Sequence, residues 1–283
     1  MDSGLWPEWI TRPRVYSAFF LGTTALFSGG ELELSLWMLV LLAGVFFLTS
    51  AVSMVTGSTS LITVPMLMQA GVEPQVAIAT NMAALTLMSL GATLPFVGQS
   101  KLDTRRAPWL IGLTLVGSAL GAVLLRRLPD AALSPFIAAS MLVVVGASLL
   151  LGNRGVQPLP QALSPRWVVV GYLATFFLAI YGGLFSGGYV TLLTATFVGC
   201  FGHTFIEAIA TSKLVNIFSS LIATAIFVHL GLVNFGLGLL LGVAMFLGAF
   251  WGGRVVLHWP NRWLRRIYVV TVAVLALKLL LNL

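Results

Sequence analysis

Apolar segments long enough to cross a membrane recur along the whole chain, separated by short polar connections. An α-helix of about 20 apolar residues crosses the ~30 Å hydrocarbon core of a bilayer. The segments are apolar on every face, whereas the strands of a transmembrane barrel alternate. The pattern therefore predicts an all-α, polytopic transmembrane helix bundle. We place the segments at 34–55, 59–70, 75–97, 108–125, 131–151, 167–185, 189–201, 205–228, 234–257 and 264–281.

Composition supports a membrane protein. Of the 283 residues, 59% are apolar and only 8% are charged, against about 25% charged in average soluble domains. The net charge is +7, and the basic residues lie mostly in short loops, where they orient a protein in the bilayer. We therefore expect the lipid bilayer as a partner and no nucleic acid.

The chain divides into an N-terminal extension, two halves and a linker. Residues 152–166 are polar and rich in proline, which is typical of a linker. The extension, residues 1–33, holds a short apolar stretch at 15–29. No small-residue cleavage site follows it, so we interpret it as an extra helix rather than a signal peptide. The halves are residues 34–151 and 167–283.

The two halves repeat each other at an offset of 131 residues without a gap. The string Ala-Ile-Ala-Thr at 77–80 returns at 208–211. Glycines also return in register, which chance apolar similarity does not explain. Internal repeats of this kind are typical of secondary transporters. The recurring glycines are Gly57, Gly71, Gly117 and Gly121, with counterparts Gly188, Gly202, Gly248 and Gly252.

Basic residues predict that the repeats are inverted. If both short segments and the extra helix cross the membrane, eleven loop Lys and Arg residues fall on one side and two on the other. If the short segments do not cross, the division is eight against five. Because cytoplasmic loops favour Lys and Arg, we expect an inverted 5+5 arrangement with the linker in the cytoplasm.

The two short segments, 59–70 and 189–201, indicate a binding site. Short segments at matching places in two repeats typify transporter sites. A helix that begins inside the membrane leaves its first N–H groups unpaired, and these donors and the helix dipole attract an anion. Alternatively, the small residues only let helices pack closely. The candidate residues in the two turns are Thr56, Gly57, Ser58, Thr59, Ser60, Gly187, Gly188 and Thr191.

Lys213 is the strongest single candidate, because it lies well inside an apolar segment. A lysine there costs roughly 2.5–3.5 kcal/mol, which an anionic substrate would offset. Snorkelling, or an ion pair with Glu207, is the structural alternative, although residues six apart lie on different helix faces. Its repeat counterpart is Met82. The further polar candidates inside apolar helices, which line the site or bond a neighbouring helix, are Thr80, Asn81, Thr211, Ser212 and Asn216.

Other polar or small residues favour structural roles. Gly117-x-x-x-Gly121 and its repeat copy have the spacing of helix-packing motifs. Glu73 and Glu207 lie near helix ends, where interfacial solvation is the simpler interpretation. Glu207 is also a candidate for a coupling proton, because burial raises the pKa of a carboxylate. A coupling proton or ion is thus an open partner.

The sequence contains no catalytic, phosphate-binding or metal-binding motif. Cys200 is the only cysteine, and the three histidines lack ligand spacing, so we expect no metal, no cofactor and no enzyme activity. The leading interpretation is a secondary carrier for a small anion. The alternatives are an anion channel, and a membrane enzyme or non-transporting scaffold.

Residues 40–281 resemble the TauE/SafE family of sulfite exporters. The resemblance rests on the turn at 56–59, the strings Val-Pro-Met-Leu at 64–67 and Gly-Val-Glu-Pro at 71–74, and their continuation at 76–81. In the second half it rests on Ser-Gly-Gly at 186–188 and on 208–212. The resemblance implies a small anionic substrate, such as sulfite, sulfoacetate or another organosulfonate, and a multi-pass location in the bacterial inner membrane.

Overall fold

The computed structural model describes residues 36–57, 59–129 and 164–264, together with residues 132, 266, 267 and 270. Every regular element in these residues is helical. The predicted segments at 15–29 and 131–151, most of 264–281, the linker up to residue 163, and Ser58 lie outside the described residues.

Six of the described helices are long and apolar enough to cross a membrane. Two are short, α2 with 10 residues and α6 with 13, at the places where the sequence predicts short segments. The chain is therefore a multi-pass, all-helical membrane protein over its described part. The helices are α1 (Leu36–Thr56), α2 (Ser60–Gln69), α3 (Pro74–Thr93, extended by the 3₁₀ turn Leu94–Phe96), α4 (Ala107–Leu125), α5 (Pro165–Leu184), α6 (Tyr189–Phe201), α7 (Phe205–His229) and α8 (Phe235–Leu257).

Local sequence explains where α7 and α8 begin. Asn234 Oδ1 accepts the Leu237 N–H at 3.1 Å and caps α8. Thr204 and Glu207 form a reciprocal capping box, in which Glu207 Oε2 accepts the Thr204 N–H at 2.9 Å. Such a box satisfies donors that the helix leaves unpaired. Glu207 therefore has a structural role at the start of α7, and it makes no ion pair with Lys213.

Helices α3 and α7 form the centre of the described bundle and pack against each other. Around them, α8 packs on α3 and α1, and α4 packs on α7 and α5. Of the most apolar stretch of α3, 72% of the residues are buried, against 33% for α1 and α5. The outer helices expose large apolar side chains, as a lipid-facing surface requires. These include Trp37, Trp109, Phe177 and Trp251.

The Gly-x-x-x-Gly motifs lie at helix crossings, which confirms their predicted packing role. A Cβ atom at Gly121 would overlap the carbonyl oxygen of Ile180 on α5. In the second half, a Cβ atom at Gly252 would lie 2.5 Å from the carbonyl oxygen of Ala51 on α1. Glycine therefore allows the backbones of α4 and α5, and of α8 and α1, to approach closely.

Contacts between the halves are reciprocal at the offset of 131 residues. The Asp103 N–H donates to Thr211 Oγ1 at 3.1 Å. The Asn234 N–H, which is the counterpart, donates to Thr80 Oγ1 at 3.0 Å. A contact from i to j that is matched by one from j to i is the mark of a twofold relation.

Candidate functional site

Each half of the bundle contains a helix that is interrupted by a glycine turn. The chain breaks between Thr56 and Ser60, and again between Leu184 and Tyr189. Gly57 has φ 73° and Gly188 has φ 79°, a left-handed conformation that glycine adopts at little cost. The repeated glycines thus have a backbone reason to recur in register.

The two turns touch each other in the interior. Thr191 Oγ1 donates a hydrogen bond to the Thr56 carbonyl oxygen at 2.6 Å. A Cβ atom at Gly57 would lie 2.7 Å from the Thr191 backbone nitrogen, so only glycine fits here. Gly187, next to Gly188, accepts a hydrogen bond from the Tyr181 hydroxyl on its carbonyl oxygen. The structure therefore brings the two sequence-predicted turns together.

Lys213 lies beside this junction and is 1% exposed. Its Nζ donates to the Ser53 carbonyl oxygen at 3.1 Å, in the last turn of α1. The C-terminal end of a helix carries negative partial charge, which stabilises a nearby cation. Among the described residues, no carboxylate pairs with Lys213. The end of α1 therefore offsets part of the cost of this buried charge, a partner that sequence reasoning missed.

Asn81 connects the first turn to α3. Its Nδ2 donates to Ser60 Oγ at 2.9 Å, and its Oδ1 accepts from Thr63 Oγ1 at 2.7 Å. The second half has a weaker equivalent, in which Thr194 Oγ1 lies 3.4 Å from Ser212 Oγ. Thr63 and Thr194 are one repeat apart, so the offset could have identified them from the sequence.

The remaining candidates bond neighbouring segments. Thr80 and Thr211 accept backbone N–H groups from the two loops described above. Asn216 Nδ2 donates to Ser89 Oγ on α3 at 2.6 Å. Thr59 precedes α2 but makes no capping hydrogen bond, and its hydroxyl lies 3.5 Å from Met88 Sδ. The predicted capping role of Thr59 is therefore wrong, since the residue faces α3.

A group of hydroxyls at the start of α6 was not identified from the sequence. Thr114 and Ser219 lie beside the phenol of the fully buried Tyr189. Ser219 Oγ is 2.7 Å from Ser118 Oγ. Thr114 Oγ1 and Tyr189 Oη have no hydrogen-bond partner among the described residues. Unpaired buried hydroxyls are costly, and these two lie on helices that line the second turn.

An open groove of about 440 Å³ lies elsewhere, between the ends of α4 and α7. Arg126, Arg127 and His229 line it with apolar side chains. None of the candidate residues named from the sequence lines this groove. It is therefore separate from the junction of the turns.

Comparison with known proteins places the chain among membrane transporters. Residues 41–279 match the family described as Sulfite exporter TauE/SafE. A probable membrane transporter protein of Haemophilus influenzae is 26% identical over 240 residues, covering 84% of this chain and 93% of that protein. The probable membrane transporter protein YfcA of Escherichia coli K12 is 30% identical over 252 residues, covering 85% and 90%.

A third relative has a similar length. The probable membrane transporter protein ORF9 of a Sinorhizobium species is 25% identical over 251 residues, covering 88% of this chain and 94% of that protein. No solved structure matches the chain. The family match spans both glycine turns and Lys213. This chain belongs to the TauE/SafE family of membrane transporters.

Proposed function

We propose that the protein is a secondary carrier for a small anion, most suitably a sulfur oxyanion or organosulfonate such as sulfite or sulfoacetate. We place it in the bacterial inner membrane, with the anion bound at the junction of the two glycine turns. The observation that carries this proposal is Lys213, a buried cation beside both turns with no carboxylate partner among the described residues.

The chemistry around Lys213 suits an anion. Its ammonium has three donors, and one of them is directed at Ser53. The short helices α2 and α6 begin at the junction, and helix N-termini favour negative charge. The unpaired hydroxyls of Thr114 and Tyr189 add donors on the second-half side. A ligand with several acceptor oxygens would satisfy this set more completely than a carboxylate.

We further propose that the two halves are inverted copies, each with five crossing segments. His203 Nε2 lies 2.9 Å from Asp103 Oδ2, so the chain must cross the membrane an even number of times between them. Helix α3 adds one crossing between Val72 and Asp103. Val72 and His203 are one repeat apart, and an odd number of crossings between them turns the second copy over.

Inversion matters for function because it brings the ends of α1 and α5 into the bilayer from opposite sides. The turns that follow them would then meet inside the membrane, where a site can open to one side at a time. The contact between Thr56 and Thr191 supports this arrangement.

A thermal-shift screen of the purified protein in detergent tests the proposal. Sulfite, sulfate, thiosulfate, sulfoacetate, taurine and short carboxylates are compared at equal ionic strength. A ligand at 100 times its dissociation constant stabilises the folded state by about 2.7 kcal/mol. We expect sulfite or a sulfonate to raise the melting temperature most.

Flux into liposomes then separates a carrier from the alternatives. A carrier shows saturable uptake that an opposing anion gradient accelerates. Uptake that does not saturate and needs no countertransport would indicate a channel. A folded protein that neither binds nor moves any of these anions would indicate a scaffold and contradict the proposal.

A further inference from the structure

A compact charged cluster joins the loop after α3 to the loop before α7. Asp103 Oδ2 is 2.7 Å from Arg106 Nη1 and 2.9 Å from His203 Nε2. The Arg106 guanidinium also lies 5.2 Å from the centre of the Phe201 ring. His203 itself is 8% exposed. A carboxylate, a guanidinium and an imidazole are thus held together in a mostly buried place.

The cluster is connected to the candidate anion site through α7. The Asp103 N–H bonds Thr211 Oγ1 at 3.1 Å, and Thr211 lies two residues before Lys213. Next to Thr211, Ser212 contacts Thr194 of α6. A change of charge or position at Asp103 therefore acts directly on the helix that carries Lys213.

Only one end of the molecule has this chemistry. The counterparts one repeat away are Asn234 for Asp103, Leu237 for Arg106 and Val72 for His203. The hydrogen bond from the loop to the threonine is retained at both ends, but the charges are not. A structural bond between loop and helix therefore needs no histidine, and His203 must serve another purpose.

The second ring nitrogen of His203 shows what that purpose is. Because an ionised carboxylate only accepts hydrogen bonds, Nε2 carries the proton toward Asp103. Nδ1 is then a buried lone pair, and it has no hydrogen-bond partner among the described residues. A proton at Nδ1 would convert the ring to an imidazolium next to a carboxylate, which is a favourable pair.

Asp103 stays ionised while this happens. Burial raises the pKa of its carboxyl group, but hydrogen bonds from His203 and Arg106 outweigh that effect and hold the pKa well below its usual range. Imidazole is the side chain that titrates between pH 5 and 8. The other charged or titratable groups on the loops and helices that meet here are Lys101, Arg105, Arg106, Cys200, Glu207, Lys213 and Arg262.

We propose that His203 Nδ1 is the proton-binding site of the carrier, so that a proton and the anion are transported together. The inference rests on the proposed anion carrier. Proton binding adds one positive charge to a neutral Arg–Asp–His cluster and thereby favours an anion at the nearby junction. By thermodynamic reciprocity, a bound anion also favours the protonated imidazole.

Protonation is measured directly by NMR of the full chain in nanodiscs with ¹⁵N-labelled histidine. The chain has three histidines, so His229→Gln and His258→Gln identify the His203 signals by elimination. We expect His203 to gain a proton between pH 8 and pH 5, and sulfoacetate to move the midpoint upward. A ring that keeps one tautomer throughout this range overturns the proposal, whether or not any anion is transported.

Coupling is measured in proteoliposomes with a trapped pH dye. A sulfoacetate gradient should drive proton movement in the wild type. His203→Gln should abolish it and flatten the pH dependence of sulfoacetate uptake. The exposed His258→Gln is the matched control and should behave as the wild type. Sulfoacetate uptake without proton movement, or unchanged coupling in His203→Gln, overturns the proton site but leaves the anion carrier standing.

Discussion

At the scale of residues, the cost of burying Lys213 explains much of the candidate site. Insertion of a lysine at mid-membrane costs roughly 2.5–3.5 kcal/mol, and Ser53 at the end of α1 supplies one acceptor. The Ser53 carbonyl also accepts the Gly57 N–H at 2.8 Å. It therefore does not need Lys213 for its own hydrogen bonding, and stability alone does not account for the cation.

Lys213→Met should separate binding from stability. Methionine is the residue at the matching place in the first half, Met82. We expect the variant to fold, with a melting temperature no lower than that of the wild type, because a desolvated charge is removed and Ser53 retains a donor. A hydrogen bond to a charged group is worth about 1.5–3 kcal/mol, so affinity for the best anion in the screen should fall at least about tenfold.

Titration calorimetry on detergent-purified protein measures that loss. Met82→Leu, a volume-conserving change of a buried residue, is the matched control and should leave the affinity unchanged. Normal anion binding by Lys213→Met would remove Lys213 from the site.

Asp103→Asn should show how the charged loop contributes to stability. The pKa of Asp103 is lowered in the folded protein, so its contribution is fully present above the unfolded value of about 3.9. The contribution declines as the pH falls through the folded pKa. Asp103→Asn should therefore be less stable than the wild type at neutral pH, and the difference should shrink below about pH 4. Thermal unfolding across pH measures it, and a difference that grows in acid would contradict the assignment.

At the scale of elements, backbone contact between helices determines where glycine is needed. The helices of this bundle gain little from burying apolar surface, because lipid tails are equally apolar, so close packing has to stabilise them. Gly121 against Ile180 and Gly252 against Ala51 are the tightest places in the two equivalent helix pairs. The same geometry at both crossings explains why these glycines recur in the sequence.

Gly121→Ala should destabilise the α4–α5 pair. The added methyl group would overlap the Ile180 backbone, and overpacking of this kind costs typically about 1–3 kcal/mol. Gly112→Ala lies in the same helix with no atom within 4 Å of the added methyl group, so it should be neutral or stabilising by up to about 1 kcal/mol. Melting temperatures in one detergent compare the two variants. Equal melting temperatures would contradict the close packing.

At the scale of the whole molecule, reciprocal contacts tie the two halves together. The first helix of each half packs on the last described helix of the other, α1 on α8 and α5 on α4. The halves are therefore interlocked, and the glycine turns at the ends of α1 and α5 meet as a consequence. The proposed inverted topology adds a direction to this arrangement.

Cysteine labelling in intact cells tests the direction. In a Cys200→Ala background, Thr104→Cys and Gln157→Cys should resist a membrane-impermeant thiol reagent, because both loops are predicted to face the cytoplasm. Arg127→Cys should react, since Arg126 and Arg127 are the two basic loop residues assigned to the outer side. Thr104 and Arg127 are both exposed, so access alone decides the result. Labelling of Thr104 and Arg127 on the same side would overturn the topology.

The sequence alone determined the class of protein and its organisation. Low charge, long apolar segments and the offset of 131 residues indicated a helical membrane protein with an internal repeat. Its short segments marked the interrupted helices, which the structure has as α2 and α6. These features depend on composition and on local periodicity, both of which can be counted along the chain. For the same reason the resemblance to the TauE/SafE family was visible in short strings of residues.

Only the tertiary structure decided which polar groups meet. Ser53 and Lys213 are separated by 160 residues, and Asp103 and His203 by 100. No local pattern links such pairs, because each is brought together by the packing of helices from different halves. Tertiary contact also made Glu207 a helix cap and turned Thr59 toward Met88. A buried polar group must find a partner wherever the fold offers one, and the fold places those partners far along the chain.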